Sequence, residues 1–345
     1  MSSQNEPATA RLPRRAVCFT PMEADRATYI AAAEAAECLG YEALVVPEGW
    51  TLDAGSLLAE LATRTDHIQL VSGIQSVWSR TPASLAMQAL TLDEISGGRF
   101  VLGLGVSTPA LAEGFHGAEF RRPAALLRST ATTVRALLRG ERSTRPDGSP
   151  GLRLGRRPQH DVPLWIAGLG PRSVAVANDV ADAWFPAFVP RERLAEHAGR
   201  LTERHDTAES TGDVSRCEFV CGPMVFVGAD ELAREQARQL VGWYLTGMGA
   251  LYADAVAAAG FGAAIAALRA HNPHPKPGRI NWAGAADPLL EQFAVIGRPD
   301  QVAADLIDWD LRVDMLVVTV GPGDIDTVLA ALEAAAPGAA QRSLC

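Results

Sequence analysis

Eight short segments of this chain are apolar at both of their alternating sets of positions, and each is followed by a stretch with helical character. The segments are RAVCFT (15–20), ALVVPE (43–48), IQLVSGI (68–74), RFVLGLGV (99–106), PLWIAG (163–168), AWFP (183–186), CGPMVFVG (221–228) and DMLVVTV (314–320). Between them the spacing predicts helices over 25–39, 57–65, 82–95, 124–138, 171–180 and 191–203, a long helical region from 230, and a last helix over 325–335. Strands buried on both faces belong to a parallel sheet covered by helices, and no hairpin signal contradicts this. Eight strand and helix pairs are the tally of a closed (β/α)8 barrel, the TIM barrel, within the α/β class. One such domain is expected over 15–345, preceded by a flexible N-terminal arm, 1–14.

Two insertions break the alternation, at about 139–162 and 271–290, both rich in Gly and Pro. Loops of that length in a compact domain carry function or move, so substrate specificity is expected there. His271 and His274 in the second lack carboxylate or cysteine neighbours, and no H-E-x-x-H or C-x-x-C spacing occurs, so no metal is expected. The five cysteines are scattered and odd in number, as in a reducing, cytoplasmic compartment. A net charge of −9 argues against nucleic acid. No segment approaches the roughly 18 uncharged apolar residues of a membrane span, which leaves a small molecule as the expected partner.

Two GLG strings end strands, at 103–105 and 168–170. A dinucleotide fingerprint would follow the first strand, with an acid ending the second. GLGPRS follows the fifth, AWFP ends without a carboxylate, and Ser173 stands at the third glycine position. In a barrel the same residues make an anion site: Gly168, Leu169 and Gly170 let the backbone approach, Pro171 opens a helix, and Arg172 and Ser173 add donors. The competing reading is a tight corner with a solvated Arg172.

YEALVVPEGW (41–50), IQLVSGIQSVWSRTPASLAMQALTLDEISGGRFVLGLGVS (68–107), PLWIAGLGPRSVAVANDVADAWFP (163–186) and GRPDQVAADLIDWDLRVDMLVV (297–318) together resemble the bacterial luciferase-like superfamily, most closely its deazaflavin (F420)-dependent oxidoreductases. The resemblance implies a cofactor across the C-terminal face of the barrel, its ring near the first four strands and its phosphate tail at the loop after the fifth. It also implies a non-proline cis bond between Gly73 and Ile74, with Gln75 and Ser76 at the ring edge, and contacts from Thr20, Ser107 and Thr108.

Glu48 ends the second strand where relatives carry an acidic or polar residue, and is a candidate general acid or a hydrogen-bonding partner of the cofactor. His116, in EGFHGAEF, is a second catalytic candidate because histidine is the side-chain type suited to carrying protons at physiological pH, against the alternative of a surface histidine. The Asp-His pair of some relatives is replaced by PEGW, and GVSTPA carries no carboxylate. Trp50, Trp78 and Phe188, with Trp184, are candidates for the substrate wall, against a default of core packing.

The function expected from the resemblance is hydride transfer between coenzyme F420 and a small organic substrate, in a homodimer. An FMN-dependent monooxygenase is the alternative within the superfamily, and a noncatalytic flavin-binding barrel the alternative outside it.

Overall fold

In a computed structural model of the protein, residues 12–20, 24–204, 215–228 and 230–342 are described. Most of the expected N-terminal arm lies outside them. Eight parallel strands close into a barrel: Arg15–Phe19, Ala43–Val46, Gln69–Ser72 continued by Gln75–Ser76, Phe100–Gly105, Leu164–Ile166, Ala183–Trp184, Glu218–Cys221 continued by Met224–Val227, and Met315–Val320. The first strand pairs with the eighth, Ala16 opposite Val317, and this closes the ring.

The double apolar pattern has a direct structural meaning. Ala16, Cys18, Ala43, Val45, Val71 and Val317 form one cluster inside the barrel, while Val17, Phe19, Leu44, Val46 and Val318 pack outward under the helices. The inward residues of the first three strands are small, which leaves room in the narrow interior for Trp165 of the fifth.

The third strand is broken. Leu70 pairs with Phe100 and Val71 with Val101, whereas Gln75 pairs with Leu104 and Ser76 with Gly105, so the offset falls by one residue across the gap. The cis bond expected from the resemblance is present at Gly73–Ile74 in that gap. Ser72 Oγ accepts from Gly103 N at 2.9 Å and satisfies the backbone where the ladder fails.

Most helices begin where their caps lie. Asp53 accepts from Ser56 N at 2.7 Å, so the second helix is Ala54–Ala62, three residues earlier than the apolar periodicity places it. Pro82–Ser96 ends at Gly97, whose φ of +63° suits a left-handed cap. Beyond it Arg99, in the SGGRF run, donates to the carbonyls of Ala62, Thr65 and Ile68, and so holds the end of the second helix against the barrel.

Three expectations need correction. The helix expected over 191–203 is a 3-10 turn, Arg191–Arg193, and a short helix, Leu194–Ala198, ended by Gly199. The insertion at 271–290 runs into a helix, Asp287–Phe293, and feeds an additional strand, Ala294–Gly297, parallel to Met224–Val227. The run Ala250–His271 has the length and mean hydropathy, 1.6, of a membrane span, although Asp254 and Arg269 interrupt it. In the fold it is two helices, Ala250–Val256 and Gly262–His271, joined by a π turn at Ala257–Phe261.

The insertion at 139–162 is tied to the barrel wall, away from the strand ends. Buried Asp93 accepts from Gln159 N at 2.9 Å and meets His160 Nδ1 at 3.1 Å.

Candidate active site

At the C-terminal ends of the strands lies a cavity of about 820 Å³, to which every one of the eight strands or its following loop contributes. That volume suits a cofactor together with part of a substrate. Cys18, Glu48, Ile74, Thr319 and the 105–108 loop form one side, the 167–171 loop another, and the segment from Tyr244 to Gly260 roofs the remainder. Neither insertion lines it, which corrects the expectation that specificity resides there.

Glu48 reaches this wall, but both of its carboxylate oxygens are taken by Arg80, and Oε2 also accepts from Ala54 N at 3.2 Å. Burial alone would lower the pKa of Arg80; the hydrogen bonds and charges of Glu48 and Asp53 outweigh it and raise the value. Glu48 therefore holds Arg80 and the start of the second helix.

Gly73, Ile74, Ser107, Thr108 and Trp50 line the cavity as expected. Thr108 also caps the helix Pro109–Gly114. Gln75 and Ser76 do not line it. Because side chains alternate with a period of two, the one-residue change of register turns Gln75 outward, where its Nε2 donates to Gln88 Oε1 at 2.5 Å. Thr20 is buried beside a minor recess instead of the cavity.

Phe188 lines the cavity, whereas Trp78 and Trp184 stand behind it. The Trp78 indole donates to the Val106 carbonyl at 2.8 Å and packs on Phe120. Trp184 donates to the Gly168 carbonyl at 2.8 Å. His116 is half-buried against Phe115 and is not brought to the cavity, because the helix Pro109–Gly114 carries it past the rim.

The 168–173 loop lies at the cavity, except for Arg172. Helix Pro171–Val180 has no side-chain cap; Pro171 carries no N–H and Ser173 N donates to the Gly170 carbonyl at 2.9 Å, so the Arg172 N–H is the one its first turn leaves to a ligand. Space beside Gly170 is open, while a Cβ on Gly168 would collide with Ser173, so these glycines have different tasks. Ser173 lines the cavity, but Arg172 is exposed and does not. Open cradle, uncapped helix and cavity size together fit the phosphate-bearing chain of a flavin-type cofactor.

The basic side chains at the cavity come from the turn and short helix after the sixth strand and the residues just beyond: Arg193, His197 and Arg200. The sequence reading passes over them because RERLAEHAGR reads as an ordinary solvated helix. His197 stacks on Trp184 at 5.9 Å, and its Nδ1 lies 2.9 Å from the Arg193 carbonyl. A carbonyl only accepts, so Nδ1 carries the proton and Nε2 keeps its lone pair in the neutral ring.

Burial lowers the His197 pKa, the Arg193 carbonyl partly opposes this, and Arg200 lowers it further. As pH falls below the ordinary value of 6.5, the unfolded chain takes up the proton first, so this contribution to stability is present above 6.5 and lost on acidification. His197→Phe should therefore lose less thermal stability than the parent between pH 7.5 and pH 5.5; parallel losses would exclude the assignment.

The sequence matches the luciferase-like monooxygenase family over residues 12–313. It is 31% identical over 324 residues, 86% of this chain and 92% of the relative, to a protein of Mycobacterium tuberculosis named as a coenzyme F420-dependent oxidoreductase. A second relative, the 5,10-methylenetetrahydromethanopterin reductase of Methanolobus tindarius, is 30% identical over 44% of this chain and 47% of its own length. Among solved structures, the F420-dependent tetrahydromethanopterin reductase of Methanopyrus kandleri superimposes with a TM-score of 0.73 at 17% identity, covering 94% of this chain and 98% of that one. An F420-dependent secondary alcohol dehydrogenase reaches 0.72 at 13% identity, covering 95% and 99%. These two show the shared fold. The extent of the family match, and a relative aligned along most of both chains, establish that this chain belongs to the luciferase-like monooxygenase family and is an enzyme of that family.

Proposed function

We propose that this enzyme transfers a hydride between coenzyme F420 and a small organic substrate. The observation that carries this reading is the uncapped helix Pro171–Val180 opening from the Gly168–Gly170 loop onto a cavity fed by all eight strands. When bound, the deazaflavin accepts or gives the hydride at its carbon 5. The protein's own residues do the rest. The 168–173 backbone and Ser173 hold the phosphate, and Ile74 supports the ring. Glu48, tied to Arg80, gives that wall a fixed polar edge, and His197, whose ring burial keeps neutral, offers Nε2 as a proton acceptor at the cavity.

The name of the M. tuberculosis relative supports F420. A second reading, FMN-dependent oxygenation, is supported by a structural neighbour, an oxygenating constituent of 3,6-diketocamphane monooxygenase in complex with FMN. Fluorescence titration separates them: F420 should bind saturably, and tight FMN binding without F420 binding would falsify the reading. Gly170→Leu adds a side chain where the cradle is open, so it should weaken F420 at least about tenfold while the unfolding midpoint stays close to that of the parent.

A homodimer and a cytoplasmic location belong to the same reading. Met87 and Ile95, exposed on Pro82–Ser96, support the first, and the unbridged thiols of Cys18, Cys38 and Cys221 the second. The mass in solution checks the dimer.

A further inference from the structure

The run Ala250–His271 is apolar on more sides than its packing explains, with only 28% of its most apolar window buried. One face, with Ala253, Val256, Ala264, Ile265 and Leu268, is buried in a satellite core. A second stripe, Leu251, Ala255, Ala258 and Ala259, follows the helical spacing i, i+4, i+7 and i+8, and all four residues line the cavity. An uncovered apolar face of this kind marks a binding surface, because water gains when something apolar covers it.

Aromatic rings complete the compartment. Phe188 lies 5.1 Å from Tyr244, 5.3 Å from Tyr252 and 5.3 Å from Phe293, centroid to centroid. Its φ of +56° is costly for a residue with a side chain, and it persists because these three rings determine its position.

Within these walls the Tyr252 hydroxyl makes no hydrogen bond among the described residues. Burial raises its pKa, so it stays protonated and is a donor. Charges at the rim are already answered: Arg193 Nε donates to the Ala259 carbonyl at 3.2 Å, and Arg200 to Glu196 at 2.8 Å.

We infer that this compartment binds an uncharged apolar ketone or the corresponding secondary alcohol, its hydrocarbon on the Leu251–Ala259 stripe and its single oxygen accepting from the Tyr252 hydroxyl. The inference rests on the hydride-transfer reading for the role of this molecule as substrate, and its binding is measured separately.

The probes are acetophenone, its near-isostere ethylbenzene, which lacks the oxygen, and benzoate, which adds a charge. Ligand-observed NMR on the full chain, with and without F420, should rank acetophenone above ethylbenzene and both above benzoate. Tyr252→Phe should weaken acetophenone about fivefold and remove its advantage over ethylbenzene. Ala255→Trp should abolish binding of both neutral probes while F420 affinity stays within about twofold, which also shows that the variant is folded; Leu251→Asp is the second variant should it not be. Stronger binding of benzoate, or acetophenone binding unmoved by these substitutions, overturns the inference. Loss of F420 binding with intact acetophenone binding overturns the cofactor reading and leaves this one standing.

Discussion

Gly103→Ala should destabilise the protein by at least about 3 kcal/mol in chemical denaturation, a large effect for one methyl group. A Cβ at Gly103 would lie far inside contact distance of the Ser72 carbonyl oxygen and against Ile74. Neither side can yield cheaply. Ser72 belongs to a strand held by the Leu70–Phe100 and Val71–Val101 pairs on one side and the Val46–Ser72 pair on the other. Relief would require the third and fourth strands to separate where Ser72 already substitutes for missing ladder bonds. Gly155→Ala is the control, because no atom lies within 4 Å of its added methyl and its φ is not positive. Equal costs for the two would show that the third and fourth strands do not depend on this close approach.

Arg15→Met should cost about 3–5 kcal/mol, as expected when one member of a buried ion pair is removed. Arg15 is 2% exposed on the first strand. Its Nη2 and Nε donate to Asp310 at 2.5 and 3.1 Å, and Nη1 to the carbonyls of Ala335 and Ala336 at 2.9 and 3.1 Å. One guanidinium thus joins the strand that closes the barrel to the ends of Pro299–Asp310 and Ile325–Ala334. Methionine keeps the apolar stem but leaves a carboxylate and two carbonyls without donors. Arg15→Met with Asp310→Leu should recover part of the loss, since the buried charge goes too. A single-variant cost under about 1 kcal/mol would mean that water reaches Asp310 freely.

Barrel and helices were legible in the sequence because local rules govern them. Val17 and Cys18, or Leu44 and Val45, announce two buried faces, and Thr81, Gly97 and Pro171 announce helix ends. Long-range pairing was not legible. Nothing in PEGW says that Glu48 will be held by Arg80, 32 residues away. Nothing in LAEHAGR says which helical face meets the cavity, so His197 was passed over and His116 taken instead. Gln75 was misplaced for a third reason: a one-residue bulge reverses the facing of all that follows, and periodicity carries no sign of it. Tyr252 sits in a run whose composition reads simply as apolar, because a stripe that faces a ligand and a stripe that faces a core use the same residues.

Among the described residues, the three non-glycine ones with positive φ, Ser107, Arg122 and Phe188, all stand at the cavity rim or next to it. Stability has thus been given up around the mouth and kept in the closing strands, which separates the two for protein engineering. Arg122, which precedes lining residue Pro123 without lining the cavity itself, is where glycine or asparagine can return some of that stability without reshaping the cavity. At Ser107 and Phe188 the same relief would be taken from the site itself.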